Sequence, residues 1–211
     1  MFEHPILLST AWFAPVHYYA RIISHPEIYL EQYEHFNKQT YRNRCIILGG
    51  NGSIPLVVPV VKGRGQKILI RDLKISYDTE WQRNHWRTIF SAYNSSPFFE
   101  FYKDEIEPFF EHKEKFLFDY NLKIHETICD LLEIENNLIL TKDFEKVPEG
   151  TQNFRELISP KNKTIIDKHF HPQEYTQVFT ERFDFIPNLS ILDLLFNVGP
   201  NSYSVLERSI K

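Results

Sequence analysis

Hydrophobic positions along the chain change period twice, and the changes divide it into three stretches. Apolar residues at 6–10, led by Ile6-Leu7-Leu8, form a short run that predicts a buried strand. Pro15 stands where a first helical residue is expected, and 17–23 continues with helical character until Pro26 stops it. A second strand is predicted at 28–31. The runs 44–48 and 56–61 flank Gly49-Gly50-Asn51-Gly52, a strong hairpin signal. After the Gly63–Gly65 turn, 68–75 reads as a further strand.

The middle stretch is helical. Asp78 or Thr79 is the expected cap of a helix over 80–93, where Trp86, Ile89, Phe90 and Tyr93 share a core-facing stripe. Pro97 closes that region, and 104–112 is a weaker helical segment. The longest predicted helix, 116–133, gathers Phe116, Tyr120, Ile124, Ile128 and Leu131 on one side. One more strand is expected at 138–140. Residues 143–173 are polar and interrupted by Pro148, Gly150, Pro160 and Pro172, so they read as a long loop or lid. Order returns with an apolar helix over 190–197, ended by Gly199-Pro200, and a short last helix from Ser202. The expected architecture is one mixed α/β (α+β) domain over 1–211. A small sheet from the N-terminal third is packed by helices from the middle and the end.

Composition narrows the function classes. The 211 residues are 42% hydrophobic and 25% charged, as in globular chains. Net charge is −4 with no dominant basic block, which argues against nucleic-acid binding. Cys45 and Cys129 are too few for a disulfide framework and suit free thiols; the apolar neighbours of Cys45 predict an inert one. No apolar run reaches the roughly 20 residues of a membrane span, and the first ten residues lack a signal-peptide pattern, so a cytoplasmic location is expected. The 15% aromatic content fits a ring-packed core, or rings lining a sugar or nucleobase pocket.

Three polar groupings are candidates for chemistry. Lys38, Tyr41, Arg42, Asn43 and Arg44 precede a strand, where guanidinium forks suit a phosphate or carboxylate; in an extended chain Arg42 and Arg44 share a face. The structural alternative is a solvated strand start with ion pairs to Glu31 and Glu34. His17, in the strand-to-helix turn Trp12–Tyr19, and His85, beside Trp81 and Trp86, are candidate bases; both also fit half-buried structural histidines. Asp193 lies in so apolar a run that its carboxylate needs a partner. His169 and His171 lack a third ligand, so no metal is expected, and no nucleotide- or cofactor-binding glycine motif occurs, so no cofactor is expected.

Taken in order, several blocks resemble the WbqC-like family. They are Trp12–Tyr19, Tyr29-Leu30-Glu31 through Tyr41-Arg42-Asn43-Arg44, 55–60, the set Trp81, His85, Trp86, Ala92-Tyr93 and Pro97-Phe98-Phe99, then 175–179 and 185–197. Two departures stand out. Ser9-Thr10 occupies the place of a Gln-Pro pair, and 151–170, with Arg155, Lys161 and Lys163, replaces a glycine-rich segment. The resemblance implies a role in O-antigen and related surface-polysaccharide clusters. One implied activity is transfer of glycine or another small acyl group to an amino sugar carried on a nucleotide or lipid. In that reading His17 or His85 is the base, Arg42, Asn43 and Arg44 hold the pyrophosphate or oxyanion, and Gln177 and Asp193 orient the substrate. The alternative is a non-catalytic sugar- or partner-binding protein of the same assembly system. An enzyme is expected to bring these side chains to one concave pocket.

Overall fold

The computed structural model describes residues 2–61, 67–144, 147–161 and 166–211. Its centre is a parallel sheet. Strand β1 (Ile6–Ser9) is buried along its whole length, as an inner parallel strand covered on both faces must be. It pairs in parallel with β2 (Ile28–Glu31), Ile6 opposite Ile28 and Ser9 opposite Glu31. Helix α1 (Val16–Ser24) makes the crossover between them, the βαβ connection that parallel neighbours require. Pro15 is its N-cap at φ −69°, already set for the turn, and the helix stops before Pro26. Two later strands complete the sheet: β5 (Leu138–Leu140) beside β2, and β6 (Gln152–Asn153) beside β1. The order is β5-β2-β1-β6.

The hairpin forms at the expected glycine turn, with β3 (Arg44–Gly49) antiparallel to β4 (Gly52–Val57), so its second strand starts at the turn itself and ends before most of the expected run 56–61. The helical middle comprises α2 (Trp81–Tyr93), α3 (Phe99–Ile106), α4 (Pro108–Glu111) and α5 (Leu117–Leu131). Helix α6 (Ile191–Val198) is almost wholly buried, and the Ser190 hydroxyl accepts the Leu192 N–H at its start. Gly199 ends it at φ +61°, where an added Cβ would sit 2.4 Å from the Phe98 ring. Helix α7 (Ser202–Arg208) closes the chain against α1. Aromatic rings fill the core: Trp12 meets Trp81 and Phe110, Phe13 stacks on Phe110, and Phe99 meets Phe196.

Three expectations are corrected. The main sheet is not built from the N-terminal third alone, because β5, the strand expected at 138–140, and the two-residue β6 come from the second half of the chain. Residues 68–75 do not form a strand; Ile70–Asp72 winds as a 3-10 turn, held by single bridges of Leu69 to His35, Lys74 to Phe116 and Ile75 to Val60. The Gly63–Gly65 turn lies outside the described residues. The helix expected over 104–112 begins earlier and is split at Glu107, since Pro108 has no N–H to continue the ladder. Within 143–173, expected as a loop or lid, the described residues include the two-residue β6 and the buried Phe154, Arg155 and Ile158.

Candidate functional site

From β1 the chain builds the sheet to one side, through β2 and β5, and then returns to the other side with β6. The strand order therefore reverses between β1 and β6. In open α/β sheets the crevice beyond the carboxyl ends of the strands at such a point is where ligands bind. A narrow cleft lies there. Its walls are Ser9, Thr10 and Ala11 after β1, Arg155 and Ile158 after β6, and Tyr18, Tyr41 and Arg42 from α1 and the turn before β3. Its enclosed space is small, about 10 Å³.

Two ion pairs frame this edge, both from buried residues. Arg42 donates from Nε to Glu34 Oε1 at 2.7 Å and from Nη2 to Glu34 Oε2 at 2.6 Å, a bidentate fork, and Nη2 also reaches Ser9 Oγ at 2.7 Å. Glu31, the last residue of β2, is fully buried. Its carboxylate accepts from the Tyr33 N–H at 2.7 Å, Thr141 Oγ1 at 3.1 Å and Arg155 Nη1 at 3.3 Å. Asn153 Oδ1 in turn accepts from Arg155 Nε at 3.1 Å, which aims the guanidinium. Each pair joins segments far apart in sequence: Glu31 to Arg155, and Ser9 through Arg42 to Glu34. The edge thus carries two cations and two anions, all withdrawn from water.

Elsewhere two further buried carboxylates are satisfied. Asp193 accepts from Tyr93 Oη at 2.8 Å, Tyr175 Oη at 2.7 Å and Gln177 Nε2 at 2.9 Å. Burial raises its carboxyl above the ordinary value, and those three bonds oppose the rise. Asp167 accepts from His17 Nε2 at 2.6 Å and Arg21 Nε at 2.7 Å, with a second bond from Arg21 Nη2. Burial would raise Asp167, but the His17 and Arg21 bonds outweigh it and hold the carboxyl well below the usual range. The Arg21 guanidinium lies over the Phe2 and Phe154 rings, 5.0 and 4.8 Å from their centroids.

The model of the WbqC-like protein family matches residues 12–165 and 161–205. This chain belongs to that family. The uncharacterised protein Rv1507c of Mycobacterium tuberculosis is 28% identical over 187 residues, covering 78% of this chain and 80% of that one. No solved structure matches.

Within this WbqC-like protein the residues singled out from sequence are dispersed. Tyr41 and Arg42 line the cleft. The Tyr41–Asn43 segment is a 3-10 turn, so the extended face that Arg42 and Arg44 were expected to share does not form there. The predicted pair of Arg42 with Glu34 does form, but buried and not as a solvated contact. Asn43 Nδ2 donates to the Val58 carbonyl at 2.8 Å, Lys38 is exposed, and the buried Nε of Arg44 has no partner among the described residues. His17 packs flat on Phe170 and bonds Asp167, and His85 Nε2 lies 2.9 Å from the Val57 carbonyl. Burial lowers both imidazoles from their ordinary value. Gln177 and Asp193 are brought together, but neither lines the cleft.

Sequence reasoning passed over Ser9, Thr10, Arg155 and Asp167 as site or clamp residues. Ser9-Thr10 did carry a signal, as polar residues ending a buried strand. Arg155 and Asp167 sat in a stretch with no periodicity to place them. Among the described residues no three His, Cys, Asp or Glu side chains gather as a metal site, and no helix is long and apolar enough to cross a membrane.

Proposed function

We propose that this WbqC-like protein is a transferase of bacterial surface-polysaccharide assembly, working on a cytoplasmic precursor, with its substrate held at the carboxyl edge of the parallel sheet. The observation that supports this most is the cleft at the strand-order reversal, lined by Ser9, Thr10, Arg42 and Arg155. Guanidinium forks match phosphate or carboxylate oxygens, and the adjacent Glu31 and Glu34 match an amine or hydroxyls. A balanced set of this kind suits a substrate carrying both, such as a nucleotide-linked amino sugar or an activated glycine. Amide-forming transfer needs a base for the attacking amine and donors for the oxyanion. Arg42 and the Ser9 hydroxyl, which line the cleft, are proposed as the donors, with Glu34, bonded to Arg42 behind the wall, as the group that holds Arg42 in place.

The cleft has room for roughly one water. We propose that a sugar enters when the wall bearing Arg155 and Ile158, part of 143–173, moves outward as a lid. A second reading, non-catalytic sugar or partner binding, draws on one observation: no histidine lines the cleft.

Thermal melting against nucleotide-linked amino sugars, free amino sugars and glycine tests the proposal. A ligand at about 100 times its Kd adds about 2.7 kcal/mol, or roughly 5–10 °C for a chain of this size. A shift together with acyl transfer supports the transferase. A shift without turnover favours the binding reading, and no shift with any of the panel refutes both.

A further inference from the structure

On a part of the molecule that shares no lining residue with the cleft, α3, the end of α5 and the start of α7 enclose a groove of about 450 Å³. That volume lies in the range of small-molecule sites. Its walls carry three rings, Phe101, Tyr102 and Tyr203, and two carboxylates, Asp130 and Glu133. Among the described residues no basic side chain lines it. The nearest cation along α3, Lys103, is paired with Glu100.

Local chemistry sharpens the picture. Helix α5 closes with the Glu133 N–H on the Asp130 carbonyl at 3.1 Å and the Ile134 N–H on the Cys129 carbonyl at 3.0 Å. This closure places residue 133 in the left-handed region, at φ 55°, a position that favours glycine. A glutamate stands there instead, on the groove rim, beside the partly negative end of a fifteen-residue helix. Phe101 is 71% exposed, its ring edge-on to Tyr102 at 4.8 Å between centroids. Tyr102 is only 3% exposed, and its hydroxyl, which makes no hydrogen bond among the described residues, is the part that reaches the groove. Burial and the Glu133 charge both push that hydroxyl's pKa up, so it remains a neutral donor and acceptor facing Glu133. Aromatic faces, carboxylates and a helix carboxyl end all attract positive charge.

The geometry points to a second ligand site in this groove, for an organic cation: a primary ammonium on a flat apolar body. The ring of the ligand lies along Phe101 and Tyr203, and its ammonium sits between Glu133, Asp130 and the Tyr102 hydroxyl.

The test is an amide-resolved NMR titration of the full chain with phenethylammonium chloride, with 2-phenylethanol and phenylacetate as neutral and anionic counterparts. The expected result is a set of shifts at Tyr102, Leu132 and Ser202, with the cation binding roughly 3- to 5-fold tighter than the alcohol and the anion not binding. Glu133→Gln should bring the cation down to the affinity of the alcohol. Glu133→Gly suits the left-handed backbone, so it should melt no lower than the wild type while losing the same cation preference. Equal binding of alcohol and cation, an unchanged preference in Glu133→Gln, or no groove shifts at about 10 mM cation would each overturn the proposal.

Discussion

His125 is buried on α5, stacked on Tyr19, with Cys129 Sγ 3.4 Å from its Nε2. Burial pushes its imidazole down to about 4, and a hydrogen bond to Asn136 opposes the fall without overcoming it. The same histidine titrates near 6.5 in the unfolded chain. Acid therefore protonates the unfolded state first. Stability from this group is complete above pH ~6.5 and is lost as pH falls towards 4. Linkage between those two values gives a loss of about 2 kcal/mol by pH 5 and about 3 kcal/mol at pH 4. The perturbation is His125→Gln, which removes the titration and keeps a polar side chain. Urea unfolding followed by circular dichroism at pH 7, 6, 5 and 4 measures both proteins. Burial also lowers His17, His25 and His85, but these remain in both chains and cancel in the difference. Whatever the variant costs at pH 7, its stability relative to wild type should improve by about 3 kcal/mol at pH 4. A difference that stays constant across the series would refute the assignment of a buried neutral imidazole.

Asp167→Asn leaves the Arg21 guanidinium, 1% exposed, without its anion; a loss of about 3–5 kcal/mol in urea unfolding and faster tryptic cutting after Lys168 are expected. Arg42→Met strands the buried Glu34 carboxylate at a similar cost, and adding Glu34→Gln should recover a large share of it, so the double-mutant cycle yields a coupling well above 0.5 kcal/mol, taken as the rough limit of additivity. Tyr175→Phe removes one of three donors to Asp193 and should cost about 1–3 kcal/mol, read as a lower melting temperature. Gly199→Ala forces a Cβ into the Phe98 ring at positive φ and should lower the melting temperature further than a surface Gly→Ala change.

Elements with strong local rules were legible in the sequence. The hairpin announced itself through Gly49-Gly50-Asn51-Gly52, α2 and α5 through their ring-bearing stripes, although Phe90, expected to face the core from α2, is 45% exposed, and α6 through Ser190 before it and Gly199-Pro200 after it. Asp193 was rightly seen to need a partner, and Tyr93, Tyr175 and Gln177 supply it. What stayed hidden depends on long-range pairing. β6 has two residues, and only β1 beside it makes them a strand. Without β6 the strand order has no visible reversal, so the cleft and the role of Arg155 were beyond reach. Residues 68–75 are apolar enough for a strand, yet single bridges to three different segments hold them and no ladder forms. The histidines looked reactive by type, but packing gave each a protein partner, and residue type alone carries no information about that.

The most direct test of the carboxyl-edge site is amide chemical-shift mapping with whichever nucleotide-linked amino sugar raises the melting temperature, repeated on Ile158→Trp, which fills the cleft and replaces no member of either ion pair. The account predicts shifts concentrated at Ser9, Thr10, Ala11, Arg155 and Ile158 in the wild type, and their loss in a variant that still folds. Shifts that fall elsewhere, or that survive in Ile158→Trp, would contradict it.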